Sequence, residues 1–273
     1  MELKNFERTN KEGKKYYFFP SVSDLASLIK ENRDSKYNFI DSSEKFAGEY
    51  DDFYGTKDMD EAIHLAEYGW LEGTKRLNKE ITVHNVGLDY KNDFSVVGSH
   101  VSVPRYLNGH PQNMIRKVPV SRVDKVINLV RFSSVTGGTT SHSMIEGGVK
   151  FVQLVQKLES QGYRCNVDVV FASRYSPEID HFVRVRIKNS NERLNIAKMS
   201  FAMCHPSMFR RFIFKLRFME YKTCERFKSW NVSGTDPNEL RICEQRAIPY
   251  LNNNDYFIPM FIDPETFELK KVA

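Results

Sequence analysis

Between Lys125 and Ala172 the apolar residues change period twice, and few folds accommodate that succession. Lys125 to Phe132 is rich in Val, Ile and Leu and predicts a strand. Val149, Val152, Leu154, Val155 and Leu158 then fall at helical spacing, and Gly162 closes the run. From Arg164 to Ala172 the pattern alternates, with Cys165, Val167, Val169 and Phe171 on one side. Strand, helix and strand in this order fit a right-handed crossover joining two parallel strands. The expected fold class is therefore α/β (or α+β): a mixed sheet with a β-α-β core flanked by helices, Rossmann-like or degenerate von Willebrand A-like.

The chain has 273 residues, enough for one large domain or for a main domain with a smaller N-terminal one. Residues 1–52 read as an attached N-terminal segment, with a short strand at Tyr16 to Phe19 and a helix from Ser23-Asp24 through Leu25, Leu28 and Ile29. Residues 53–273 read as the main α/β domain. Within it Ala62, Ile63 and Ala66 predict a helix, and Gly69 and Gly73 mark its turn around Trp70-Leu71. A β-rich insert is expected around residues 81–120. Its strands are placed at Ile81 to Leu88 and Phe94 to Val103, with Lys91-Asn92-Asp93 as the turn between them, and Pro104, Pro111 and Pro119 punctuate a loop beyond. Phe182 to Lys188 alternates apolar and basic, as a strand with one solvated face would. Ile196 to Met203 and Met208 to about Phe227 predict two further helices, the second opened by Pro206.

No apolar run approaches the roughly 20 residues needed to span a bilayer, so neither a membrane anchor nor a signal peptide is expected. Cys165, Cys204, Cys224 and Cys243 lie far apart, without the close pairs of a zinc site, and read as free thiols of a reducing cytoplasm. Neither His-x-x-x-His nor His-Glu-x-x-His occurs, and no Gly-x-Ser-x-Gly elbow is present. Catalysis thus has no recognisable motif, and no cofactor or metal is expected.

Two stretches carry candidate binding chemistry. The loop after the first core strand holds Ser133, Ser134, Gly137, Gly138, Thr139, Thr140 and Ser141. In parallel α/β sheets such loops, with the helix N-terminus behind them, can hold an anion. No Gly-Lys-Ser/Thr follows, so a structural turn with capping hydroxyls is the competing reading. A von Willebrand A-type metal site would need Asp-x-Ser-x-Ser here, whereas Arg131-Phe132-Ser133 and Val135 stand in those places. The second stretch is the basic and aromatic helix carrying Arg210, Arg211, Lys215 and Lys222, extended by Arg184, Arg186 and Lys188 on the alternating strand. With a net charge of +5 the chain favours acidic partners, and an exposed face of this kind would follow the phosphates of DNA or RNA. The competing reading is a solvated basic helix face.

Several short segments together resemble an uncharacterised domain family of bacteriophage and prophage proteins. They are Phe53-Tyr54-Gly55-Thr56, Glu61-Ala62, Gly69-Trp70 through Gly73, Gly98-Ser99-His100-Val101 through Pro104, and Gly109-His110-Pro111 with Met114. The helix from Gly147-Gly148 to Gly162, Met199-Ser200-Phe201-Ala202, His205-Pro206 and Arg210-Arg211 complete the set. The resemblance implies phage origin and a role in the host cytoplasm or in association with the virion, and it supplies no activity. Three readings follow. The first is a non-enzymatic accessory protein that binds nucleic acid through the basic residues. The second is a protein-interaction module or virion component that meets a phage or host protein. The third is an enzyme that holds a phosphate-bearing ligand in the 133–143 loop.

Overall fold

The computed structural model describes residues 7–11, 14–32, 53–80, 90–119, 125–174, 179–221 and 237–272. Its centre is a six-stranded mixed sheet built from β1 (Glu7–Lys11), β2 (Lys14–Phe19), β6 (Lys125–Phe132), β7 (Tyr163–Arg174), β8 (Ile179–Lys188) and β9 (Asp255–Ile258), in the spatial order β1-β2-β8-β7-β6-β9. β6 pairs in parallel with β7 on one side and with β9 on the other. β7 and β8 are antiparallel, β8 and β2 parallel, and β1 closes the far edge antiparallel to β2.

The crossover from β6 to β7 is α5 (Ser141–Ser160). Its N-cap is Thr140, whose hydroxyl accepts from the Ser143 N–H at 3.1 Å. β6 lies between two parallel neighbours, so it must be apolar on both faces, and Leu129, Val130 and Phe132 are fully buried.

Helices cover both faces of the sheet. On one face lie α1 (Val22–Glu31), α5, α6 (Ile196–Cys204) and the segment after α6, where Phe209 stacks on Phe171. Against α6 pack α2 (Met59–Tyr68) and α3 (Leu71–Glu80), the latter entered through Gly69 at φ +90°. On the other face α8 (Pro237–Ala247) contacts β7 and β8, and Tyr250 stacks on Phe182 and on Tyr16.

The mixed α/β class and its β-α-β centre agree with the pattern in the sequence, while several boundaries move. α5 begins eight residues before Val149, because Thr140 caps it ahead of the apolar stripe. Ser21, rather than Ser23, caps α1. The boundary expected near residue 52 does not separate the described residues: β2 lies in the main sheet, and Tyr17, Phe19, Leu25 and Ile29 share the one hydrophobic core. β8 is an inner strand, antiparallel to β7 and parallel to β2. α8 and β9 had no periodic signal strong enough to predict them. The expected strand Ile81 to Leu88 lies outside the described residues, as does the expected helix beyond Tyr221 as far as Phe227.

The insert also differs from expectation. Lys91-Asn92-Asp93 is not a turn but the middle of β3 (Tyr90–Ser95), which pairs with β5 (Met114–Pro119). The reversal comes later, where Gly98 crosses the Ile115 backbone so closely that a Cβ would stand 2.3 Å from its carbonyl oxygen. The segment read as an irregular loop contains α4 (Val103–Leu107), with Pro104 in its first turn, and β5 itself. β3, β5 and the two-residue β4 (His100–Val101) form a separate three-stranded sheet.

Close packing of α5 depends on two adjacent glycines, Gly148 against α6 and Gly147 against the chain at Met260. A Cβ on Gly148 would lie 2.5 Å from both the Cys204 Sγ and the Met203 carbonyl, and one on Gly147 would stand 3.0 Å from the Met260 carbonyl. Gly148→Ala is therefore expected to destabilise the protein by about 1–3 kcal/mol through overpacking, measured by urea unfolding. Gly137→Ala, where nothing lies within 4 Å of the added carbon, serves as the control and should stay within about 0.5 kcal/mol of wild type.

Candidate functional site

The three basic residues of β8 do not face solvent as a row. Arg184 donates through Nη1 to Asp255 at 2.7 Å and through Nε to Asp168 at 2.6 Å, joining β8, β7 and β9. Burial works against this guanidinium's charge, but the two carboxylates outweigh it and hold its pKa above the ordinary value. Arg186 forms a second ion pair with Asp168 and donates to Asn189 at 3.0 Å. Lys188 is buried, with its ammonium 2.7 Å from Glu159 and bonded to the Cys165 and Asn189 carbonyls. These cations neutralise carboxylates within the fold.

Arg210, Arg211 and Lys215 are buried too. After α6 the chain widens into a π-helical turn, Met208–Ile213, before α7 (Phe214–Tyr221) resumes. That turn directs both arginines inward. Arg210 lies 4.1 Å over the Phe53 ring and donates to the Phe53 carbonyl at 2.8 Å, to the Ser141 hydroxyl and to the Thr139 carbonyl. Arg211 lies 4.4 Å over the Tyr54 ring and donates to the Thr56 hydroxyl at 2.7 Å and the Thr56 carbonyl at 2.6 Å. Two consecutive aromatics thus stack on two consecutive guanidiniums. The exposed basic face expected of this helix is corrected, because Arg210, Arg211 and Lys215 share the interior with Phe209, Phe212 and Phe214. Lys222 lies outside the described residues.

Gly55 completes this junction. It adopts φ +71°, and a Cβ there would stand 3.0 Å from the His205 ring and 3.2 Å from Pro206. The Ser207 hydroxyl donates to the Tyr54 carbonyl at 2.5 Å and lies 2.9 Å from the Thr56 hydroxyl. His205 packs edge-on to Trp70 and stacks on Phe201. Its Nδ1 accepts from the Ser207 N–H at 3.2 Å, which leaves Nε2 as the protonated nitrogen. Burial, reinforced by the charge of Arg211, pushes the imidazole pKa down to about 4.

The hydroxyl loop is also committed internally. An anion cradle would present these groups outward, but the Ser134 hydroxyl accepts from the Ala172 N–H at 2.8 Å and donates to its carbonyl at 2.9 Å. Thr136 and Thr139 bond each other at 3.0 Å, Thr140 caps α5, and buried Ser141 takes Arg210. Ser133 is buried, and its N–H donates to Val170. Gly137, Gly138 and Thr140 remain exposed. Arg131, standing where a von Willebrand A-type site would have its Asp, is wholly buried and donates to the Met203 carbonyl at 2.5 Å and the Met260 carbonyl at 3.3 Å. Burial lowers its pKa to about 10.

A cleft of about 340 Å³ opens between the starts of α1 and α6, lined by Ser21, Arg186, Arg193 and Lys198. Glu192, bonded to Asn189, brings a carboxylate to the same wall, so the cleft does not select one sign of charge.

The residues that sequence reasoning passed over lie in the insert. None of residues 92–118 is buried, and none enters the core. Phe94, Val96, Val97, Val101, Val103, Tyr106 and Leu107 are all exposed, Val97 and Leu107 at 76% each. A three-stranded sheet of this size is stable when an apolar face is covered, yet this one leaves its apolar side chains in water. Their clustering between positions 94 and 107 was visible in the sequence, but their exposure was not.

The structure thus defines a mixed α/β protein with a buried arginine junction and an appended, apolar β arm. Residues 8–261 match the family model described as Domain of unknown function (DUF7192), and the chain belongs to that family. No curated protein and no solved structure matches it. The segments that carried the resemblance fall into two groups. Phe53 to Thr56, Gly69-Trp70, Gly147-Gly148, Met199 to Ala202, His205-Pro206 and Arg210-Arg211 meet around α6, whereas Gly98 to Val101, Pro104, Gly109 to Pro111 and Met114 lie in the arm. Among the described residues no helix is long and apolar enough to cross a membrane.

Two outcomes test the buried electrostatics. Arg184→Met leaves Asp255 buried without its cation and should cost about 3–5 kcal/mol in urea unfolding, of which Asp255→Asn in the same chain should recover a measurable part. His205 binds a proton in the unfolded chain below pH 6.5 but in the folded chain only near pH 4. Its contribution is therefore intact above pH 6.5 and is lost as pH falls toward 4. Between pH 7.5 and pH 5 wild type should lose about 2 kcal/mol more than His205→Phe, compared by urea midpoints at the two pH values.

Proposed function

We propose that this chain is an accessory protein of a phage or prophage that acts in the host cytoplasm or on the virion by docking on another protein through residues 90–119. The single observation that carries this reading is the arm's composition against its burial. Val96, Val97, Val101, Val103, Tyr106 and Leu107 are exposed together on an element that contributes nothing to the core. Isolated exposed apolar residues are ordinary, but a cluster on one small element marks a surface that another macromolecule covers. The body described beside it is tied together by the Arg210-Arg211 junction and the ion pairs of Arg184. Resemblance to phage proteins rests partly on arm residues, which supports placing the working surface there.

Nucleic-acid binding through Arg184, Arg186, Lys188, Arg210, Arg211 and Lys215 has less support, since their side chains are engaged within the fold or buried there. The phosphate-ligand reading of the 133–143 loop is weakened by hydroxyls already bonded inside it.

Cross-linking in cells that express the protein tests the docking reading. Exposed Lys117 should form a discrete cross-link to one other protein, and Val97→Asp combined with Leu107→Asp should reduce it by about tenfold or more. Neither side chain is buried, so the double variant should melt within a few degrees of wild type, checked by circular dichroism. An unchanged cross-link in the folded double variant would refute the proposal.

A further inference from the structure

We infer that the surface recognised by the arm belongs to a different protein and is acidic around an apolar centre. This rests on the docking reading above and adds the chemistry of the partner. Residues 90–119 hold four cations, Lys91, Arg105, Arg116 and Lys117, against one carboxylate, Asp93. That carboxylate is already 3.4 Å from Arg116. The arm thus supplies an excess of three positive charges to a chain whose whole net charge is +5. Arg105 is held in place, 3.9 Å over the Phe94 ring with Nη1 donating to the Gln112 carbonyl at 3.1 Å, so its charge sits beside the exposed apolar cluster.

Charge and shape together separate the occupants. A second copy meeting arm to arm would set these cations against each other, which the exposed apolar area would have to overcome. Duplex or single-stranded nucleic acid would satisfy the charge but offers no apolar pocket for Val96, Val97, Val101, Val103 and Leu107. The exposed aromatics Phe94, with one face under Arg105, and Tyr106 could meet bases, but the five aliphatic side chains that make up most of the patch gain nothing from stacking. An acidic rim around an apolar depression on a protein satisfies both requirements, with aliphatic anchors at the centre and cations at the edge.

The test uses the full chain and a displayed library of random peptides as the probe. Selected peptides should combine Asp or Glu with large apolar residues and should bind about tenfold more weakly when salt rises from about 50 to about 300 mM. Lys91→Glu combined with Lys117→Glu should weaken them by a similar factor, and Val97→Asp combined with Leu107→Asp should abolish binding. Peptides that depend on the apolar pair but carry no acidic excess and ignore the lysine reversal would overturn this inference while leaving the docking reading in place. Peptides indifferent to both double variants would overturn both. Arm-dependent retention of a DNA duplex, arm-dependent binding to vesicles of phosphatidylserine and phosphatidylcholine, or an arm-dependent homodimer in light scattering would each replace the acidic protein as the occupant.

Discussion

Arg131 stands on β6 with its guanidinium wholly removed from water, and the carbonyls that accept from it are those of Met203 and Met260. A buried cation without such acceptors would cost several kcal/mol, so their positions are obligatory once this residue occupies β6. The Met203 carbonyl belongs to the last turn of α6, where unpaired carbonyls and the helix dipole supply partial negative charge. The bond therefore fixes where α6 ends relative to the sheet. Gly147 leaves room for the guanidinium, whose nearest atom would be 3.2 Å from an added Cβ, and Gly148 lets α5 reach α6. From that point the placement of α2 and α3 follows, because both pack on α6.

The same logic accounts for the other basic residues. Arg184 bridges Asp168 and Asp255, Lys188 meets Glu159, and Arg210 and Arg211 clamp the chain at Phe53 to Thr56. Each joins elements far apart in sequence, so they determine the packing of the fold rather than its surface potential. Such bridges are weak evidence for stability but strong constraints on geometry, since removing one partner strands the other. His205 belongs to this interior, held neutral by burial between Trp70 and Phe201.

Against this tightly satisfied body the arm is the exception. Its strands are regular, Gly98 allows its hairpin to cross Ile115, and Gly109 turns the chain at φ +68°, so it is a built structure. Yet its apolar side chains are left in water. Among the described residues the protein buries six arginines and lysines while seven large apolar side chains of this arm stay exposed, the contrast on which the docking proposal rests.

The sequence by itself determined the β-α-β centre, because β6, α5 and β7 each carry a periodic apolar pattern that only a strand or a helix can bury, and local periodicity survives without tertiary information. The family resemblance also picked out short segments, including Phe53 to Thr56, Gly147-Gly148 and Arg210-Arg211. Only the tertiary structure decided what those segments do. Whether Arg184 meets water or Asp255, 71 positions away, and whether Val97 is covered or bare, depends on contacts between residues remote in the chain. Periodicity assigns a residue to a face, but whether that face meets solvent or another layer is decided by how the elements stack.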